Sequence, residues 1–147
     1  MVLLRVNCKK LVVKNYGQLP KVRCYPGKLN QIFINIIGNA IDAVQPMGKE
    51  LSNSPPKITI TTAIEAKNQV IIRIADNGIG MSEAVQKQIF DPFYTTKPVG
   101  QGTGLGLAIS YQVIVEHHQG ELECISALGK GTEFLITIPH FIEWGSG

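Results

Sequence analysis

Between residues 29 and 44, apolar side chains recur at steps of three and four: Leu29, Ile32, Phe33, Ile36, Ile37, Ala40, Ile41 and Val44. That spacing predicts a helix over 28–44 whose wide apolar stripe must be covered, most simply by a sheet. Gln31, Asn35, Asn39 and Asp42 lie off the stripe. Three of them interrupt the longest apolar stretch, 32–44, so it falls short of the ~20 apolar residues that a membrane span requires. Pro46 and Gly48 are expected to stop the helix, with a loop over 52–56.

Strands are predicted both before and after this helix in the chain. Ahead of it, 10–14 and 21–25 look like short strands around a turn at Tyr16 and Gly17, closed off by Pro26 and Gly27. After it, Ile58, Ile60, Thr62 and Ile64 alternate, as do Val70, Ile72 and Ile74, with Asn68 at the hairpin turn. This second strand ends at Asp76. Ser82 is placed to cap a short helix reaching Phe90. The stretch 91–102 is irregular and holds Pro92, Pro98, Gly100 and Gly102, as a lid or binding loop would. A second long helix is expected over 104–118 with Gly120 as its cap, followed by strands over 121–126 and 133–139 joined at Gly129, Lys130 and Gly131. The expected architecture is α+β, a two-layer α/β sandwich with a mixed sheet covered on one face by helices.

The 147 residues suit one domain. A hydrophobic share of 44%, a charged share of 17% and a net charge of +3 exclude a disordered chain and a strongly basic nucleic-acid binder. Cys8, Cys24 and Cys124 are scattered and form no CxxC pair, which argues against a zinc cluster and for reduced thiols in a cytoplasmic protein. The N-terminus lacks a signal-peptide layout. The expectation is a cytoplasmic domain, with membrane attachment of a longer parent left open.

Three features could carry chemistry. Gly100, Gly102, Gly104 and Gly106 alternate into a helix start, where free N–H groups favour anions; a merely flexible loop is the other reading. It is neither a Walker A loop nor a dinucleotide fingerprint. Asn35 and Asn39 sit four apart on one helix face, either as solvated residues or as oxygen ligands suited to Mg²⁺. Asp76-x-Gly78-x-Gly80 is either a plain turn or a carboxylate beside backbone that can lie flat against a planar ring.

Together and in order, these residues resemble the GHKL superfamily, which groups gyrase-type, Hsp90-type and MutL-type ATPases with histidine kinases. Asn35 to Ala40 resembles the N box, Asp76-x-Gly78-x-Gly80 the G1 box, Phe90-Asp-Pro-Phe93 the F box, and Gly102 to Leu107 the G2 box. Gly129-x-Gly131-Thr132-x-Phe134 resembles the closing GxGTxF turn. The resemblance covers about residues 20–139 and implies the Bergerat ATP-binding fold with a long ATP lid over 91–103.

By this resemblance, Asp76 would bind the adenine amino group with an ordered water that Thr132 supports, and Gly78 and Gly80 would line the pocket. Asn39 would ligate Mg²⁺, with Asn35 assisting directly or through water. Gly102, Thr103, Gly104, Leu105 and Gly106 would cradle the phosphates. Thr95 and Lys97 belong to the Phe93-to-Pro98 run typical of nitrogen-regulator-type histidine kinases, where Lys97 would reach the γ-phosphate.

Hydrolytic members carry Glu where this chain has Asn35. An amide cannot accept a proton at neutral pH, so phosphate transfer is expected rather than efficient hydrolysis, with Lys97 and Asn35 as the catalytic pair. The acceptor is not recognisable: His117 and His118 end a helix without the surroundings of a phosphoacceptor and read as surface residues, and His140 follows the last strand. The resemblance therefore implies a single catalytic and ATP-binding domain over 1–147 that lacks its dimerisation hairpin. Its partners would be ATP, that hairpin's histidine and a response regulator, with no nucleic acid. The isolated domain would be a monomer and the parent kinase a homodimer. A non-catalytic nucleotide-binding regulatory module and an anti-sigma-type Ser/Thr kinase are the alternatives.

Overall fold

The computed structural model describes residues 12–44, 55–65, 68–94 and 105–140. Strand β1 (Val12–Tyr16) leads through helix α1 (Pro26–Val44) to the hairpin β2 (Ile58–Glu65) and β3 (Gln69–Asp76). A single helical turn, α2 (Glu83–Gln86), and helix α3 (Gly106–Gln112) follow, and α3 runs on into a widened turn over Val113–His117. Strands β4 (Glu121–Ala127) and β5 (Gly131–Pro139) close the chain. The five strands form one sheet in the order β1-β2-β3-β5-β4. β1 pairs with β2 in parallel, and the other neighbours are antiparallel.

The mixed sheet and the one-sided helical layer are those the sequence predicts. Ile74 sits between Ile60 and Phe134 in the register, and Ile136 between Ile72 and Leu122. These side chains share the face that meets α1. From α1, Leu29, Ile32, Ile36, Ala40, Ile41 and Val44 are buried against them, with Val113 and Ile114 from the second helical segment. The opposite face of the sheet is polar at its centre, where Arg73 donates to Glu133 at 3.0 Å.

Several boundaries differ from the sequence reading, each for a physical reason. Helix α1 starts at Pro26 rather than 28. Proline lacks an N–H and has its φ preset, so it suits a first helical position, and Leu29 N donates to Tyr25 O at 3.0 Å to close that turn. The stretch 21–25 is not a strand. Val22 and Cys24 do point inward against the core, which explains the alternation. The chain has left the sheet by then: Gly17 N donates to Thr62 O at 3.0 Å, and Tyr25 N donates to the His118 ring instead of to a strand.

Ser82 does cap its helix, accepting from Val85 N at 3.3 Å, but the helix is one turn long. Gln88 N to Val85 O and Asp91 N to Gln88 O then tighten the chain into three-residue turns before Phe90 and Phe93. The second long helix is not α-helical throughout. His118 N donates five residues back to Val113 O, and the left-handed residue at the end is Gln119 (φ 55°). Gly120 supplies the next N–H, to Ile114 O at 2.9 Å, so the expected glycine cap is displaced by one residue.

Asn68 stands at its hairpin turn with φ 64°, as expected. The predicted stops at Pro46 and Gly48 lie outside the described residues. Among the described residues, no helix is long and apolar enough to cross a membrane.

Candidate functional site

At one end of the sheet, on the face toward the helices, the apolar rows give way to a polar one. The register sets Ile58, Asp76, Thr132 and Ser126 side by side across β2, β3, β5 and β4. Asp76 ends its strand there half-buried. Its Oδ1 accepts from Gly78 N at 2.8 Å, and the Thr132 backbone N–H also donates to the carboxylate. Burial raises the Asp76 pKa above the ordinary carboxylate value, and the two N–H donors oppose that rise. Burial, together with this same carboxylate, pushes the Cys124 thiol up to about 12.

The loop after Asp76 is seated by the Asn77 side chain and by close main-chain approaches. Asn77 closes one side: Lys57 N donates to its Oδ1 at 2.8 Å, and its Nδ2 donates to Pro55 O at 2.9 Å. A Cβ on Gly78 would stand 2.4 Å from Ala43 O, and Ile79 N donates to that carbonyl at 3.2 Å. Gly80 has φ +71°, and a Cβ there would lie 1.9 Å from Ala127 O. These glycines let the loop press on the end of α1 and on the β4–β5 turn.

Met81 N donates to Ser126 Oγ at 2.8 Å, and Gln86 Nε2 donates to Ser126 O at 2.9 Å. Ser126 Oγ lies 2.7 Å from Thr132 Oγ1 and donates to Gly131 O at 3.0 Å.

Asn35 and Asn39 share a half-buried face of α1, with Asn39 one turn before Ala43. Gln31 Nε2 donates to Asn35 Oδ1 at 3.2 Å, and Asn35 Nδ2 reaches Gly106 O at 3.4 Å. Asn35 thus ties α1 to the first turn of α3, where Ser110 Oγ also donates to Gly106 O at 2.8 Å. Leu105 precedes that helix.

The structure therefore brings Asp76, Gly78, Gly80 and Thr132 together around one sheet end, and sets Asn35 against Gly106. Thr95, Lys97, Gly102, Thr103 and Gly104 lie outside the described residues, as does most of the stretch expected as a lid. Phe93, at its start, is 73% exposed with φ 67°.

His118 corrects the sequence reading. It is 1% exposed rather than on the surface. Its Nδ1 lies 3.0 Å from Val113 O, while Nε2 accepts from Tyr25 N at 3.0 Å. A backbone N–H can only donate, so Nε2 is the acceptor and Nδ1 carries the proton. The widened turn carries this ring to the N-terminus of α1. His117 does face outward, with Lys28 Nζ 2.9 Å from its Nδ1.

Sequence reasoning missed Ser126, Met81 and Gln86 around the site. The alternation of Leu122, Cys124 and Ser126 on β4 was the available signal, because it puts Ser126 on the face of Thr132 once the register is known.

The family described as Histidine kinase-, DNA gyrase B-, and HSP90-like ATPase matches residues 24–142. The chain is 44% identical over 121 residues to Sporulation kinase E of Bacillus subtilis (strain 168), covering 82% of this chain and 15% of that protein. It thus spans about one seventh of that relative's length. The fold is similar to the catalytic domain of histidine kinase ThkA in a nucleotide-free form, with TM-score 0.73 and 26% identity over 95% of this chain and 88% of that one. Full-length ShkA in complex with AMPPNP gives TM-score 0.73 and 26% identity over 88% of this chain and 25% of that one.

Proposed function

This chain belongs to the histidine kinase-, DNA gyrase B- and HSP90-like ATPase family, and from that membership we propose that it is the Mg-ATP-binding catalytic domain of a sensor histidine kinase. In this reading it presents the γ-phosphate of ATP to a histidine on a separate dimerisation hairpin, from which a response regulator takes it. The relative Sporulation kinase E and the ShkA complex with AMPPNP support the assignment. The observation that carries it is Asp76, a half-buried carboxylate held by Gly78 N at 2.8 Å and flanked by Thr132 at the sheet end.

Asp76 accepts from the adenine amino group, with Thr132 beside it. Gly78 and Gly80 keep side chains away from the ring, and the glycine-rich run from Gly102 through Thr103, Gly104 and Leu105 to Gly106 is assigned to the phosphates. Thr95 and Lys97 are assigned to the phosphates as well, Lys97 as a positive charge on the γ-phosphate.

The residues present fit a magnesium ion. No cluster of three His, Cys, Asp or Glu able to hold a metal occurs among the described residues. The amide oxygens of Asn39 and Asn35 are hard ligands, suited to a cation that keeps water and phosphate oxygens around it. When bound, the ion neutralises phosphate charge. Asn35 offers no base for water, so the geometry favours positioning for transfer over hydrolysis.

The test supplies the purified chain with ATP, Mg²⁺ and the isolated hairpin of a related kinase. Acid-labile phosphate on the hairpin is expected, with Asn39→Ala lowering ATP affinity only when Mg²⁺ is present. Brisk ATP hydrolysis by the chain alone, or equal affinity for adenine and guanine nucleotides, overturns the proposal.

A further inference from the structure

Three hydrogen bonds converge on one hydroxyl beside the base-binding row. Ser126 Oγ accepts from Met81 N at 2.8 Å, donates to Gly131 O at 3.0 Å, and lies 2.7 Å from Thr132 Oγ1. A serine hydroxyl has one proton and two lone pairs. With its proton on Gly131 O, Ser126 must accept in the short contact, and the Thr132 hydroxyl must donate. The proton of Thr132 is then committed to β4. What Thr132 Oγ1 offers its surroundings is lone pairs alone.

Asp76 stands directly opposite Thr132 in the register, and an ionised carboxylate is also acceptor-only. The two side chains therefore make an edge without a side-chain donor. Such an edge receives an amino group and leaves a carbonyl unpaired. Burial sharpens the choice, because Thr132 is buried and an unpaired polar group there is costly.

We propose that Ser126 is a positioning residue that sets nucleotide selectivity by holding the Thr132 hydroxyl as an acceptor, so that the site takes a 6-aminopurine and rejects a 6-oxopurine. This rests on the reading of the site as an adenine pocket. Ser126 touches no ligand in this role. Removing its oxygen frees the Thr132 proton to turn toward the ligand, where it can meet a carbonyl oxygen. Selectivity then falls even where overall affinity changes little.

The test measures the affinities of ATP and inosine triphosphate, which differ by the amino-for-oxo exchange at C6 and the N1 proton that accompanies it, on the purified chain by calorimetry with Mg²⁺. In Ser126→Ala the ATP-to-ITP affinity ratio is expected to drop by about tenfold, the effect of one reversed hydrogen bond. Ser126→Thr, which keeps the hydroxyl, restores the ratio. In a Thr132→Val background, Ser126→Ala shifts the ratio no further, as a residue acting through Thr132 requires. If Ser126→Ala does not fold by circular dichroism, Ser126→Cys carries the same expectation, since a thiol is a weak acceptor. A folded variant that retains the wild-type ratio overturns the role of Ser126 alone. A wild-type chain that does not prefer ATP over ITP overturns the adenine-pocket reading, and this inference with it.

Discussion

Replacing Asp76 by Asn separates binding from folding at one position. The substitution keeps the shape and keeps an oxygen for Gly78 N, which now reaches Asp76 Oδ1 at 2.8 Å. It puts an NH₂ group where the second carboxylate oxygen stood, so the edge facing the adenine amine changes from acceptor to donor. A hydrogen bond to a charged group contributes about 1.5–3 kcal/mol, so ATP affinity should fall about ten- to hundredfold. Stability should move the other way. Burial raises the Asp76 pKa, so the folded state is favoured with the acid protonated; that contribution is full below the ordinary carboxylate value of 3.8 and is lost as pH rises through the folded pKa. At neutral pH the buried charge is a burden that Asn removes. The expected result is weaker ATP binding by calorimetry, with a melting temperature equal to wild type or higher. Unchanged ATP affinity, or lost affinity accompanied by a lower melting temperature, would refute the reasoning.

Gly80→Ala combines a left-handed backbone with a Cβ 1.9 Å from Ala127 O; a stability loss of about 2–4 kcal/mol is expected in urea unfolding, and an unchanged midpoint would contradict the close approach. His118→Phe keeps a buried ring but leaves Tyr25 N without its acceptor, so about 1–3 kcal/mol should be lost, with faster amide exchange at Tyr25. For Cys124, the thiol pKa rises from 9.0 to about 12 in the folded state. The unfolded chain then releases its proton first, and stability should decline between pH 9 and 12 by less in Cys124→Ala than in wild type. At pH 8 Cys124 should resist iodoacetamide until the chain unfolds.

What the sequence revealed depended on how local the determining physics is. The stripe from Leu29 to Val44 and the alternation in Ile58 to Ile64 are set by helix and strand periods, and both elements formed where expected. The stretch 21–25 alternates equally well, yet alternation records only which side chains turn inward; whether a neighbouring strand pairs with the backbone depends on residues far away, and here His118 takes Tyr25 N. His118 itself was illegible because its burial requires the widened turn at Val113–His117, whose hydrogen-bond pattern leaves no compositional mark. Asp76, Gly78, Gly80 and Thr132 were visible as short motifs. The part of Ser126 was not, because it exists only through the β4–β5 register.

Gly78 meets Ala43 O, Gly80 meets Ala127 O, and Gly131 meets Asp76 O, each at a distance that admits no Cβ. At these three points the site is drawn by peptide planes resting on one another. A wall of this kind tolerates turnover in the residues around it. A saturation library should therefore hold these three glycines fixed alongside Asp76, Ser126 and Thr132 while the other neighbouring positions drift, so that an unchanging outline coexists with a fluid sequence.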